Sequence, residues 1–142
     1  MFKKFSFWIL GTIILQLLTA VFHSLSLFTA PEPKNETEKQ LLDLTTNYKP
    51  DLGMGFNPSF ADLFTGLSLC FTLICIFGAL LNWYFKKKNL GADLWKGFLF
   101  IQIIIFGALF IAMLAFTFFP PIVFSGLIFL FVITSYLTVN NK

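Results

Sequence analysis

The stretch that decides the fold is residues 97–119, GFLFIQIIIFGALFIAMLAFTFF, which contains no charged side chain. A helix needs about 20 consecutive apolar residues to cross the hydrocarbon core of a bilayer, and this stretch is longer than that. Backbone groups inside lipid must be hydrogen-bonded within the protein, which favours a helix over an irregular segment. The sequence therefore predicts a transmembrane helix over residues 97–119.

Three further apolar stretches accompany the first one. They cover residues 5–28, 64–85 and 122–137, and only the last falls short of the ~20 residues of a typical span. The long connection that remains, residues 29–59, is too short to bury a hydrophobic core of its own. We therefore predict an all-α fold in which residues 1–142 form a single membrane domain, an integral membrane four-helix bundle.

The composition fits a surface that faces lipid and narrows the possible functions. Of the 142 residues, 57% are hydrophobic and 12% are charged, against roughly 25% charged residues in a soluble domain. The chain contains no arginine, and its net charge is +3. The apolar composition makes the lipid bilayer the expected main partner. Because arginine is the preferred bidentate ligand of phosphate, we expect no binding of nucleic acid.

The lysines indicate the orientation of the predicted spans. Lys3 and Lys4 precede the first span, four lysines lie between the second and the third, and Lys142 follows the fourth. The connection 29–59 instead has five acidic residues and three lysines. Loops rich in lysine face the cytoplasm. We therefore predict a multi-pass protein of the cell membrane with cytoplasmic N- and C-termini, whose first span stays uncleaved as an anchor.

The outer loop, residues 29–59, contains the pattern of a short helix. Asn35 followed by Glu38 is close to the capping-box spacing that begins a helix. Three apolar side chains then repeat at positions i, i+3 and i+7, which places them on one helical face. They are Leu41, Leu44 and Tyr48. The sequence predicts a short amphipathic helix that lies along the membrane surface or caps the bundle.

The run NETEKQLLDLTTNYKPDLGMGF at residues 35–56, followed by ADLFTGLSLCF at residues 61–71, resembles a family of small uncharacterised bacterial membrane proteins with four spans. The resemblance covers the outer loop and the start of the second span. It implies an integral membrane protein of bacterial origin, and it assigns no activity and no role to any residue.

Polar side chains inside the spans are the candidate functional residues, because polar groups are costly to place in hydrocarbon. The first two spans carry such residues at helical spacing, so each set lies on one face of its helix. The predicted cleft-lining residues are Gln16, Thr19 and His23 on the first span and Asp62, Thr65, Ser68 and Thr72 on the second. We expect the two stripes to face each other.

His23 and Asp62 form the sharpest hypothesis within this set. Both fall near the outer ends of their spans, where a carboxylate would fix the tautomer of the imidazole. Such a pair would bind a polar head group or shuttle a proton. The alternative is structural, because Ser59 and Asp62 have the spacing of a capping box and a carboxylate stabilises the first turn of a helix.

Two carboxamides lie outside the predicted cleft. Asn82 stands beside Trp83 and Lys86, so we expect it at the membrane interface. Gln102 is the one strongly polar residue of the third span, and we interpret the polar and small residues of that span as helix packing.

The sequence leaves three classes of function open. No span has a charged residue at mid-membrane, as an ion-coupled transporter usually has, and motifs such as HExxH, GxSxG and the P-loop are absent. No cofactor or metal is indicated. We predict a non-enzymatic protein that binds a lipid-like ligand, a membrane partner or a second copy of itself. The alternatives are a small membrane enzyme that acts on a lipid or quinone through His23 and Asp62, and an oligomeric carrier or pore subunit.

Overall fold

The computed structural model describes residues 2–25, 27–29, 32–51, 53 and 55–139, and only the backbone of Phe2 and Lys3. Lys142 and the side chain of Lys3 lie outside the described residues. Within them the chain forms α-helices and no β-strand. The helices are α1 (Phe2–Leu25), α2 (Glu36–Asn47), α3 (Phe60–Lys87), α4 (Ala92–Phe116) and α5 (Phe119–Thr138). The predicted all-α class is confirmed, and α2 is the short helix predicted in the outer loop.

Four of these helices are long and apolar enough to cross a membrane. They are Lys4–Leu25, Phe60–Lys87, Ala92–Phe116 and Phe119–Thr138. Much of their apolar surface is uncovered by protein, and large side chains such as Leu67 and Ile111 are both 67% exposed. Lipid is the solvent in which such a surface is stable. The protein therefore has the architecture of a multi-pass membrane protein.

The prolines Pro120 and Pro121 account for one difference from the predicted spans. They fall between the predicted spans 97–119 and 122–137, but both lie in the first turn of α5. Proline fits this position because the first N–H groups of a helix have no intrahelical acceptor. The connection between α4 and α5 is therefore only Thr117 and Phe118.

Contacts within the chain divide it into two compact units. The first unit comprises Met1–Thr19 and Ile74–Lys142, and it packs segments of α1 and α3 with the whole of α4 and α5. It is a four-helix bundle. The second unit, Ala20–Leu73, contains the end of α1, all of α2 and the start of α3.

Helices α4 and α5 interlock through two phenylalanines that lie against two glycines. A methyl group placed on Gly107 would come within 2.9 Å of the Phe129 ring, and one placed on Gly126 would come within 2.9 Å of the Phe110 ring. The two rings also stack on each other, with their centroids 6.1 Å apart. Small residues let helices approach closely where the hydrophobic effect gives no driving force between them.

Helix α3 ends in a Schellman motif. The Leu90 N–H donates to the Phe85 carbonyl at 3.4 Å, and the Asn89 N–H donates to the Lys86 carbonyl at 3.2 Å. These bonds satisfy carbonyls that the helix itself leaves without a donor. Asn89 has φ 50°, the left-handed conformation that this motif requires.

Helix α2 begins as the sequence predicts. Asn35 is its N-cap, and the Asn35 Oδ1 accepts the Glu38 N–H at 2.9 Å. The Glu38 carboxylate reaches back and accepts the backbone N–H of Lys34 at 2.7 Å and the Asn35 Nδ2 at 3.1 Å. These contacts fix the start of α2 through local groups alone, which is why the pattern was readable from the sequence.

Candidate functional site

Inside the first unit lies a cluster of three side-chain amides, Gln16, Asn82 and Gln102, which we call the amide triad. Gln16 and Asn82 are fully buried and Gln102 is 4% exposed. Asn82 Nδ2 donates to both Gln16 Oε1 and Gln102 Oε1 at 3.1 Å. Gln102 Nε2 donates to Asn82 Oδ1 at 2.8 Å, and Gln16 Nε2 donates to Gln102 Oε1 at 3.2 Å.

The triad joins three helices, since Gln16 lies on α1, Asn82 on α3 and Gln102 on α4. Gly78, one turn before Asn82, makes room for it. A methyl group at Gly78 would come within 2.7 Å of Gln16 Nε2 and within 3.3 Å of the Phe106 ring. Each amide has one oxygen and two N–H groups, and every amide oxygen in the triad accepts at least one bond. The three amides thereby provide one another with hydrogen-bond partners. An amide without a partner would cost free energy in apolar surroundings.

The triad adds to two expectations from the sequence. Asn82, expected at the membrane interface, is fully buried within the protein, because its helical face turns toward α1 and α4. Gln102 is not merely a packing residue, since it bonds to two other helices. The sequence does contain a signal for the triad, since three carboxamides within apolar spans have few hydrogen-bond partners other than one another. Gln16, predicted to line a cleft, lies in this cluster instead.

Two of the four hydroxyl groups in the predicted stripes donate to carbonyls of their own helices. The Thr19 hydroxyl donates to the Leu15 carbonyl at 2.7 Å, and the Thr65 hydroxyl donates to the Ala61 carbonyl at 2.8 Å. Such bonds to the preceding turn are common for threonine within helices. Thr65 is exposed and Ser68 is half-buried. The stripe is thus buried only in part.

Thr72 differs from the other hydroxyl-bearing residues of this stripe. Its side chain is 6% exposed, and its hydroxyl has no hydrogen-bond partner among the described residues. It lies one residue after Phe71, in the second unit.

Asp62 has the structural role that the Ser59 spacing suggested. Its Oδ2 accepts the Ser59 backbone N–H at 2.9 Å and the Ser59 hydroxyl at 2.8 Å, while the Asp62 N–H donates to the Ser59 Oγ at 3.2 Å. This is a reciprocal cap at the start of α3, with Ser59 as the N-cap and Asp62 as the third helical residue. The carboxylate also lies at the positive end of the helix dipole.

His23 lies in the last turn of α1 and is half-buried. Its ring packs edge-on against Phe71 of α3, with a centroid separation of 4.7 Å. The hydrogen bonds of the Asp62 carboxylate to described residues all go to Ser59. The pairing of His23 with Asp62 therefore stays a prediction.

The second unit also presents an apolar surface outside the spans, formed by Leu41, Leu44 and Tyr48, which we call the α2 apolar face. All three side chains are exposed, and α2 has no buried residue. Tyr48 stacks on Phe60, the first residue of α3, with centroids 6.4 Å apart and ring planes 21° apart. This contact brings one end of the α2 apolar face to the beginning of a span.

Comparison with protein-family models, with curated proteins and with solved structures finds no match to this chain.

Proposed function

We propose that the protein is a non-enzymatic membrane protein that binds a partner membrane protein through the α2 apolar face. One observation carries the proposal: Leu41, Leu44 and Tyr48 are 61%, 60% and 57% exposed although they lie outside the membrane-crossing helices. Lipid explains the exposed side chains of the spans but not those of a separate helix in a polar segment. An uncovered apolar patch of this kind is typical of an interaction surface.

The spacing of the α2 apolar face fits a known mode of recognition. An amphipathic helix that docks into a groove uses anchors at positions such as i and i+3, which is the spacing of Leu41 and Leu44, and Tyr48 follows directly as the C-cap of α2. The helix, Glu36–Asn47, is about 18 Å long at a rise of about 1.5 Å per residue. Tyrosine is also enriched at protein interfaces, because it supplies a large apolar ring and a polar hydroxyl.

The charge of α2 favours a protein partner over the lipid surface. Helices that bind bilayer surfaces are rich in lysine or arginine on their polar face. Helix α2 has three carboxylates, Glu36, Glu38 and Asp43, and a single lysine, Lys39, which pairs with Glu36 at 3.8 Å. We therefore propose that the partner presents an apolar groove bordered by basic side chains, to which an acidic helix is complementary.

The alternative functions have weaker support. An enzyme that used His23 and Asp62 would need the Asp62 carboxylate, which already accepts two hydrogen bonds from Ser59. A pore or carrier would need a polar path, whereas the buried amides of the first unit bond to one another. We also propose that the protein resides in the cell membrane with cytoplasmic termini, because residues 86–96, where α3 ends and α4 begins, contain four lysines.

A photo-crosslinking amino acid in place of Leu44 tests the proposal. The matched control carries the same probe at Thr46, which is exposed and lies on the opposite face of α2. In native membranes we expect a discrete protein adduct from position 44 and none from position 46. The partner identified from that adduct, once purified, should bind at least about tenfold more weakly to the Leu41→Asn variant.

Two results would overturn the proposal. One is a probe at position 44 that reacts only with phospholipid, which would make α2 a lipid-binding helix. The other is a Leu41→Asn variant that binds the purified partner as tightly as the parent protein. Retention of binding in His23→Ala and Asp62→Asn variants is expected, because neither residue belongs to the α2 apolar face.

A further inference from the structure

Positive charge is concentrated where α3 ends and α4 begins. Residues 86–96 contain four lysines and one acidic residue, Asp93. Within the described part of the chain, none of these lysines forms an ion pair. The ion pair found there joins Lys39 and Glu36 of α2. The ammonium groups at this connection are therefore not neutralised by neighbouring carboxylates.

Two of these ammonium groups lie over aromatic rings. The Lys87 Nζ is 5.2 Å from the centroid of the Trp83 ring, and the Lys88 Nζ is 5.8 Å from that of Tyr84. These distances are within the range of a cation–π attraction. Both rings are about half exposed, and Trp and Tyr prefer the headgroup region of a bilayer. The contacts thus hold positive charge next to rings of the kind that favour the headgroup region.

The start of α1 adds to the same surface. The Phe5 ring packs against the Trp95 ring of α4, with centroids 5.0 Å apart. In the sequence, Lys4 directly precedes Phe5, and Lys96 directly follows Trp95. Cationic side chains from α1, α3 and α4 are therefore gathered at one end of the first unit. We call Trp83, Tyr84 and the lysines 4, 86, 87, 88 and 96 the lysine–aromatic surface.

We infer that the lysine–aromatic surface binds the phosphate-bearing headgroups of anionic phospholipids. A cluster of lysines directly beside a membrane-crossing helix attracts anionic lipid, and the attraction falls off within a Debye length. The lysines would attract the phosphate of such a lipid, and the aromatic rings would contact the glycerol and upper acyl region of the same lipid. The surface lies at the ends of spans and not in a groove, so a membrane lipid fits it better than a soluble phosphate compound.

Tryptophan quenching by brominated lipids measures this binding close to the site. The full chain is reconstituted in phosphatidylcholine vesicles that contain increasing fractions of brominated phosphatidylglycerol, or of brominated phosphatidylcholine for comparison. Trp83 is the exposed reporter, whereas Trp95 is buried and Trp8 is half-buried. We expect brominated phosphatidylglycerol to bind at least about threefold more strongly than brominated phosphatidylcholine at low salt, and less so at high salt.

Two matched variants separate a local site from a general effect of charge. The variant Lys86→Gln, Lys87→Gln, Lys88→Gln should lose the preference for the anionic lipid. The control Lys34→Gln, Lys39→Gln, Lys49→Gln removes the same charge from the α2 segment, residues 34–49, and should keep the preference for the anionic lipid. Replacement of Lys86, Lys87 and Lys88 by arginine should also keep it, which would show that these positions act through their positive charge.

The inference fails if the parent protein shows no preference between the two brominated lipids. It also fails if the Lys86–Lys88 variant keeps the preference. Equal losses in that variant and in the α2-segment control would mean that net charge, rather than the lysine–aromatic surface, attracts the anionic lipid. Because no part of this surface belongs to α2, these results do not depend on the proposed partner protein.

Discussion

Asn82 and Gln102 exchange a reciprocal pair of hydrogen bonds between α3 and α4, at 3.1 Å from Asn82 Nδ2 and at 2.8 Å from Gln102 Nε2. Two amides joined in this way each use a donor and an acceptor, so neither group faces hydrocarbon unpaired. Gln16 completes the set from α1 by bonding to both. The first unit is therefore held together by directional bonds in a region where apolar packing alone would specify the helix pairing weakly.

The variant Asn82→Leu should destabilise the protein by about 1 kcal/mol or more, because it leaves the amides of Gln16 and Gln102 partly unpaired in apolar surroundings. Simultaneous replacement of Gln16, Asn82 and Gln102 by leucine should destabilise less than the sum of the three single changes. Detergent titration that yields the free energy of unfolding measures both effects. Gln40→Leu, which removes an exposed amide, is the control, and strictly additive losses would contradict a connected triad.

The variant Gly78→Ala should destabilise the protein by about 1–3 kcal/mol, because the added methyl group would lie 2.7 Å from Gln16 Nε2 and the amide would have to move. Gly97→Ala is a matched control: it also lies within a helix, and a methyl group there meets no atom within 4 Å. Alanine is the better helix former by about 1 kcal/mol, so Gly97→Ala should leave the thermal midpoint unchanged or raise it. A Gly78→Ala variant as stable as the Gly97→Ala variant would show that the Gln16 amide adapts freely.

Features that depend on residues close in the sequence could be predicted, whereas features that depend on contacts between helices could not. The spans follow from stretches of apolar residues, and the start of α2 follows from Asn35 and Glu38, which bond to each other. The burial of Asn82 was not predicted, because its sequence neighbours Trp83 and Lys86 resemble those of an exposed interfacial residue. Its partners lie on other helices, and only the packing of those helices reveals the burial of the amide.

Asn89 allows a prediction about the end of α3. Its φ of 50° disfavours side chains with a Cβ, although asparagine tolerates the left-handed region better than most. Asn89→Gly should therefore stabilise the protein by up to about 1 kcal/mol, and Asn89→Val should destabilise it by about 1–2 kcal/mol. Thermal unfolding in detergent compares the two. A valine variant as stable as the glycine variant would mean that the Schellman motif contributes little.

The cap formed by Ser59 and Asp62 gives a prediction that also bears on the enzyme alternative. Ser59→Ala and Asp62→Ala should each destabilise the protein by about 0.5–2 kcal/mol, and the double variant should lose little more than either single variant, because both remove the same cap. Hydrogen exchange at the first turn of α3 locates the loss. Additive effects, or unchanged exchange in the Asp62→Ala variant, would indicate a role for the carboxylate away from Ser59.

The interlocked rings of Phe110 and Phe129 limit how the first unit can move. The glycine and the phenylalanine on each helix are three residues apart, so any sliding of α5 along α4 would lift both rings off their glycines together. Shear between packed helices, a common route of conformational change, is thereby blocked at this pair. Motions that accompany binding should carry α4 and α5 as one rigid hairpin and be absorbed at other helix contacts.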